Sequence, residues 1–194
     1  GSSTQPAITK TFFDGFGRPI QIRASTETPG RYAVINMKYT PKGELQELTY
    51  PKFEGNIVFT AQNFSVPKET FSYDALSRII SQKTPAGVTK TAFSPWEVSV
   101  TDANGHRRDM RFDAFGQLVE TTEYLNGTAY HTRYAYDALG NLTKITDALG
   151  NIRNFSYDSL SRRILNEDIH NPADIEFSKW ISEYDPNGNV TMVK

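Results

Sequence analysis

Residues 136–158 read YDALGNLTKITDALGNIRNFSYD, and the phrase Asp137-Ala-Leu-Gly-Asn141 returns ten positions later as Asp147-Ala-Leu-Gly-Asn151. Tyr136 opens the stretch beside Asp137, and Tyr157-Asp158 closes it. Asp-x-x-Gly is a turn phrase for a physical reason. The carboxylate can accept hydrogen bonds from backbone N–H groups just ahead of it, and Gly can take the positive φ that a tight reversal needs. Apolar residues on both sides of each phrase make strands, whereas an unbroken helix needs an interior free of such punctuation. The stretch therefore predicts antiparallel strands joined at Asp-x-x-Gly corners.

The phrase extends along the chain. An aromatic residue, Asp and a Gly four positions after the aromatic occur as Phe13-Asp14-x-x-Gly17, Phe112-Asp113-x-x-Gly116, Tyr136-Asp137-x-x-Gly140 and Tyr184-Asp185-x-x-Gly188. Tyr73-Asp74 and Tyr157-Asp158 keep the pair but carry Ser77 and Ser161 in place of Gly, and Tyr39 keeps Gly43 with Thr40 in place of Asp. The seven copies are 26, 34, 39, 24, 21 and 27 residues apart. Further turns, Asp102-x-x-Gly105 and Asp147-x-x-Gly150, fall about halfway between copies, so the basic step is ten or eleven residues. One strand of about six residues plus a turn of about four fits that step, and two steps restore the direction of travel.

Alternation supports strands between the corners: Tyr130, Thr132, Tyr134 and Tyr136 share one face, as do Trp96, Val98 and Val100. Several strands carry aromatics on both faces, which reads either as a sheet covered on both sides or as exposed rings that stack on sugars. The two long intervals need insertions, and residues 49–70 and 84–100 combine apolar runs with Pro, which predicts extra strands rather than a linker. Residues 168–174, DIHNPAD, predict a longer loop. About fourteen to sixteen strands at ~4.8 Å spacing would make a strip on the order of 70 Å across. Gly1-Ser2-Ser3 reads as an expression remnant, and residues 4–194 as a single repeat region cut from a longer protein.

Composition agrees with an all-β reading and narrows function. Ten Tyr, twelve Phe and two Trp give 12% aromatics, the apolar content that suits strands. With 21 Lys plus Arg against 22 Asp plus Glu and no basic run, nucleic acid is not expected as a partner. The absence of Cys removes disulfides and thiolate metal sites, and leaves three separated histidines, His106, His131 and His170. No cofactor or metal is expected. No apolar stretch approaches the roughly 20 residues that span a bilayer as a helix.

Catalysis has little to work with. Asp74, Asp113, Asp137, Asp147, Asp158 and Asp185 share one turn position, where backbone bonding accounts for them without acid–base chemistry. No Gly-x-Ser-x-Gly elbow is present, the acidic turns lack the twelve-residue EF-hand pattern, and Gly15-Phe-Gly-Arg18 lacks the Lys-Ser/Thr ending of a phosphate loop. The chain is read as a non-enzyme.

Tyr-Asp-x-x-Gly phrases at steps near 21, with Phe13-Asp-Gly-Phe-Gly-Arg18 and Tyr136-Asp-Ala-Leu-Gly-Asn141, resemble the YD repeats of the Rhs family, and residues 93–120 look most like its large bacterial members. The family includes bacterial Rhs toxins, the B and C subunits of Tc toxin complexes and the teneurins. The resemblance runs from about Phe12 to Val190. It implies a long strip of antiparallel strands that spirals into a hollow shell around a C-terminal toxin polypeptide, in a secreted or exported bacterial protein. The implied partners are the remaining repeats of the shell and the enclosed polypeptide. The alternative is an extracellular module that binds glycans or a cell-surface partner. Self-cleaving Rhs toxins would carry their aspartates in an Asp-Pro-x-Gly segment after the repeats; Asp185-Pro-Asn-Gly188 resembles it superficially and reads as an ordinary repeat. Finally, the apolar, β-prone end of the chain, guarded only by Lys194, predicts either edge-to-edge self-association or pairing of the terminal strand back onto another part of the chain.

Overall fold

The computed structural model describes residues 7–193, so the expected expression remnant lies outside the described residues. The described chain has no helix and forms seventeen strands, all paired antiparallel where their registers are defined. They fall into two compact units.

The first unit, residues 7–91 with 102–104, holds β1 (Thr9–Phe13), β2 (Pro19–Ser25), β3 (Tyr32–Tyr39), β4 (Leu45–Thr49), β5 (Lys52–Glu54), β6 (Lys68–Tyr73), β7 (Ile79–Thr84) and the start of β8 (Gly87–Ser94). β1–β4 form a meander, β3 also pairs with β5, and β4 pairs with β6, which continues through β7 to β8. The second unit, residues 92–101 with 105–193, is a simple meander. It runs through β9 (Glu97–Thr101), β10 (Arg107–Phe112), β11 (Leu118–Leu125), β12 (Thr128–Tyr136), β13 (Leu142–Thr146), β14 (Ile152–Tyr157), β15 (Arg163–Glu167), β16 (Lys179–Tyr184) and β17 (Val190–Val193).

The register slips at each of the seven aromatic-led corners, for example between Ala135 and Tyr136 and between Ser156 and Tyr157. Such a slip belongs to the three-residue hairpin connection, in which a residue at positive φ is followed by a bulge. The extra residue twists the ribbon at every corner.

Few side chains are fully enclosed. Val34, Met37 and Phe155 are the buried hydrophobics among the described residues, so the ladders and cross-strand pairs carry much of the stabilisation. The densest polar cluster lies in the first unit. Arg23 is fully buried; its Nε donates to Gln21 Oε1 at 2.8 Å, and its guanidinium reaches Asn56 Oδ1 at 2.9 Å and Glu54 Oε2 at 2.8 Å. Gln62 Nε2 donates to the carbonyls of Ile20 and Met37.

This cluster corrects one sequence expectation. Within residues 49–70 only Lys52–Glu54 adds a short strand before β6, and residues 55–67 run without regular structure, tied by side chains to β2 and β3. Their backbone groups find partners in Arg23 and Gln21 rather than in a ladder, which satisfies them without strand geometry. The second insertion does form strands, β8 and β9. Asp168–Ser178 is a loop, with one bridge between His170 and Ile152.

Candidate functional site: the repeated corner

The Asp137 corner shows how one phrase closes a turn. The N–H of Gly140 donates to the carbonyl of Asp137 at 3.0 Å, and the N–H of Asp137 donates to the carbonyl of Asn141 at 3.0 Å. Oδ1 of Asp137 accepts from the N–H groups of Leu139 and Asn141, both at 2.9 Å, while Oδ2 accepts from Asn141 Nδ2 at 2.9 Å. Both carboxylate oxygens are thus engaged inside one turn. Gly140 sits at φ +85°, where an added Cβ would lie 3.0 Å from Gln117 Nε2 and the backbone would be strained for any L side chain.

The other copies repeat the plan. Asp14, Asp74 and Asp158 place Oδ2 on the guanidinium of Arg18, Arg78 and Arg162, each with Nε at 2.7 Å. Asp147 and Asp185 use Asn151 and Asn189, each through Nδ2. Asp113 accepts from the N–H of Phe115 and Gln117 at 2.9 Å each. Gly17, Gly43, Gly116, Gly150 and Gly188 are all at positive φ, and Ser77 and Ser161 take the same conformation at φ 62° and 59°. In the odd copy, Thr40 replaces the carboxylate with its hydroxyl, which accepts from the N–H of Glu44 at 3.2 Å and donates to Glu44 Oε2 at 2.8 Å.

A contact the sequence reading missed ties each repeat to the one before. The Tyr39 hydroxyl donates to the carbonyl of Pro19 at 2.8 Å, Tyr73 to Leu45 at 2.6 Å, and Tyr136 to Leu118 at 2.9 Å. Tyr157 reaches Leu142 and Tyr184 reaches Arg163, each at 2.9 Å. In every case the acceptor lies two residues after the Gly or Ser of the preceding corner. Phe13 and Phe112 have no hydroxyl and cannot make this bond. Arg18 and Arg162 add to it, since each guanidinium lies 4.8 Å and 4.7 Å from the ring centroid of the next Tyr, Tyr39 and Tyr184. The signal was visible as Tyr in five of seven aromatic positions and Arg or Asn four residues after six of the aspartates.

Six of the corner carboxyls are held ionised. Hydrogen bonding from Asn141 holds Asp137 below the ordinary carboxylate range, and Asn151 and Asn189 do so for Asp147 and Asp185. Backbone N–H bonds from Arg18, Arg78 and Arg162, then the guanidinium itself, do so for Asp14, Asp74 and Asp158. A carboxylate with both oxygens occupied and its proton lost is poorly placed to donate a proton at neutral pH.

The histidines stay apart. His131 Nδ1 lies 3.1 Å from Thr122 Oγ1, and His170 stacks on Phe177 with ring centroids 3.7 Å apart. Among the described residues no group of three or more His, Asp or Glu side chains could hold a metal ion. One shallow groove in the second unit, about 530 Å³, is lined by Tyr157, Arg163, Asn166, Trp180, Ser182 and Tyr184, among others.

This repeated geometry has counterparts in known proteins. The RHS Repeat family matches residues 112–152 and 136–173. The structure resembles the crystal structure of TcdB2-TccC3 without its hypervariable C-terminal region, with a TM-score of 0.80 at 20% identity over 99% of this chain and 11% of that one. The TcdB2-TccC3-TEV crystal structure gives 0.78 at 20% identity over 95% of this chain and 11% of that one. A Photorhabdus luminescens Tc holotoxin pore structure, carrying a TccC3 substitution, gives 0.78 at 19% identity over 96% and 11%. The chain therefore spans about a ninth of the length of the chains it matches. Residues 112–173 thus carry the RHS Repeat, and the strands of the chain share the fold of the TcdB2-TccC3 structures.

Proposed function

We propose that residues 4–194 are one YD-repeat region of a larger protein and serve as a non-enzymatic wall section of a shell that encloses a C-terminal toxin polypeptide, in a secreted or exported bacterial toxin. The observation that carries this reading is the corner itself: the repeated aspartates are spent on turns, and the repeated tyrosines on tying one repeat to the next. Likeness to Tc toxin structures supports the setting. The residues at work are then structural, namely the aromatic, Asp and Gly or Ser of each corner, and the partners are the remaining repeats and the cargo.

The test uses the full-length parent protein with its C-terminal polypeptide. Under limited proteolysis the cargo should survive in the intact protein and be digested when Gly140→Val and Gly116→Val open two corners. Cargo digested in the intact protein as fast as the free polypeptide would refute the enclosure.

A second reading, recognition of glycans, is favoured by the groove, where Trp180 is exposed beside Tyr157 and Tyr184 and polar Asn166 and Ser182. A glycan array with this chain separates the two, because a wall section predicts no saturable sugar binding.

A further inference from the structure

Turn tips are normally polar, yet four successive corners at one end of the second unit present large apolar side chains. Trp96 is 56% exposed, Phe115 88%, Leu139 71% and Leu160 69%. They belong to one row because the chain reverses at each strand: the corners before β9 and after β10, β12 and β14 all lie at the same end of the meander. The carbonyl of Trp96 accepts from the N–H of Phe112, which fixes the first of these corners beside the second. The row ends at the next corner, whose corresponding residue is Asn187. At the opposite end Leu125, Leu149 and Ile175 are exposed as well, but they stand on connections of unlike form, the Asn126-Gly127 turn, the Asp147–Asn151 corner and the 168–178 loop, and the 102–106 turn beside them presents no large apolar residue.

Neither turn formation nor packing within the corner accounts for these residues. The turn is closed by Asp, by the residue at positive φ and by backbone bonds, and the apolar residue contributes only its N–H, as Leu139 and Phe115 do to Asp137 and Asp113. We propose that this row is a docking surface for the corner row of another stretch of the same kind of repeat, in the isolated chain a second copy of itself.

Two arguments select this occupant. Neighbouring tips in the row are two strands apart, about 10 Å, so four tips make a line of apolar knobs about 30 Å long. Another antiparallel strip has the same strand spacing and keeps step with such a line, its tips fitting between these. The chain also spans only about 11% of the chains whose fold it shares, so a protein of that length has ample chain beyond these residues from which a second row could come. A lipid surface fits worse. Beneath the tips lie the ionised carboxyls of Asp137 and Asp158, which would face anionic headgroups, and the chain as a whole carries a formal charge of −1.

The biological setting rests on the wall reading above, since a strip that winds into a shell must bring its corner rows together. Sedimentation of the whole chain over a concentration series is the test. The wild type is expected to associate, and the Phe115→Glu/Leu139→Glu/Leu160→Glu variant to stay monomeric with an unchanged circular dichroism spectrum. The strand-edge variant Val190→Lys/Met192→Lys should still associate. The chain has no cysteine, so Leu139→Cys alone should form a disulfide-linked dimer on mild oxidation, a readout that does not depend on the triple variant folding. Association abolished only by the edge variant, a wild type monomeric at all concentrations, or tip-dependent flotation with anionic vesicles would each overturn the proposal. Full-length parent protein carrying the three Glu substitutions and still protecting its cargo would defeat the docking surface and leave the wall reading intact. Unprotected cargo in the unaltered parent, with tip-dependent association of this chain, would do the reverse.

Discussion

Replacing Tyr136 by Phe removes one oxygen and little else, which makes it the sharpest probe of the bond between repeats. The hydroxyl donates to the carbonyl of Leu118 at 2.9 Å, a good geometry for a neutral bond. Such a bond contributes about 1 kcal/mol net, and stranding the acceptor costs about 1–3 kcal/mol where water is excluded. Tyr136 is only half-buried, so water can replace the lost donor and the lower figure applies. Both Trp residues, Trp96 and Trp180, lie in the second unit with Tyr136, so tryptophan fluorescence follows that unit's unfolding. With a urea dependence of about 2 kcal/mol/M, the midpoint should fall by about 0.5 M. Adding Tyr157→Phe, which removes the bond to Leu142, should roughly double the shift. Tyr130→Phe, at an exposed ring in the same strand, is the control. Equal midpoints for Tyr136→Phe and Tyr130→Phe would show that the hydroxyl bond contributes nothing and that the inter-repeat tie is only a geometric coincidence.

Gly140→Val should destabilise by about 1–3 kcal/mol in the same titration, through strain at φ +85°, and Asp137→Asn should do less because its amide keeps one acceptor oxygen for the turn; equal, negligible shifts would contradict the turn assignment. Acid should weaken the fold in a defined window. Asp14, Asp74, Asp137, Asp147, Asp158 and Asp185 have depressed folded-state pKa values, so the unfolded chain takes up protons first as pH falls. The urea midpoint should therefore hold steady from pH 7 to 5 and decline below about pH 4 as pH descends through the folded values; a flat profile down to pH 2 would refute this linkage. Asp185 has both oxygens engaged in its corner, so the purified chain should not cleave itself on long incubation, and the appearance of a fragment that Asp185→Asn abolishes would reverse the non-enzymatic reading.

The turns were the most legible part of the fold because their chemistry is local. Asp137 meets its partners within four residues, and the spacing of these phrases displays the strand period directly. Ser77 and Ser161 broke the Gly rule in the sequence yet adopt the same positive φ, because the bonds around each corner over-determine the backbone there. Illegible were the contacts between positions far apart. The Tyr hydroxyl bonds span 15 to 28 residues, and nothing in a single phrase says where a phenol will point. Residues 55–67 misled for a related reason: their Pro and apolar residues suggested strands, while the deciding partners, Arg23 and Gln21, stand more than thirty positions earlier.

The division of labour within a repeat bears on how such a strip can grow. Each corner is closed by its own residues, and each Tyr hydroxyl reaches back only to the preceding repeat, so adding a repeat disturbs nothing already made. Stability then accumulates by neighbour contacts, as in other repeat architectures, and needs no thick hydrophobic core; this agrees with the three buried hydrophobic side chains among the described residues. A thin sheet of this kind leaves its exposed features at its margins. β17 pairs only with β16 among the described residues, and the second unit carries its apolar row along one line of corners. A strand edge can be satisfied by one more strand of the same strip, whereas a corner row has no backbone ladder to offer and must be met by side chains. The two margins thus demand different partners, which is why substitutions at Val190 and Met192 and at Phe115, Leu139 and Leu160 can separate lengthening of the strip from contact between strips.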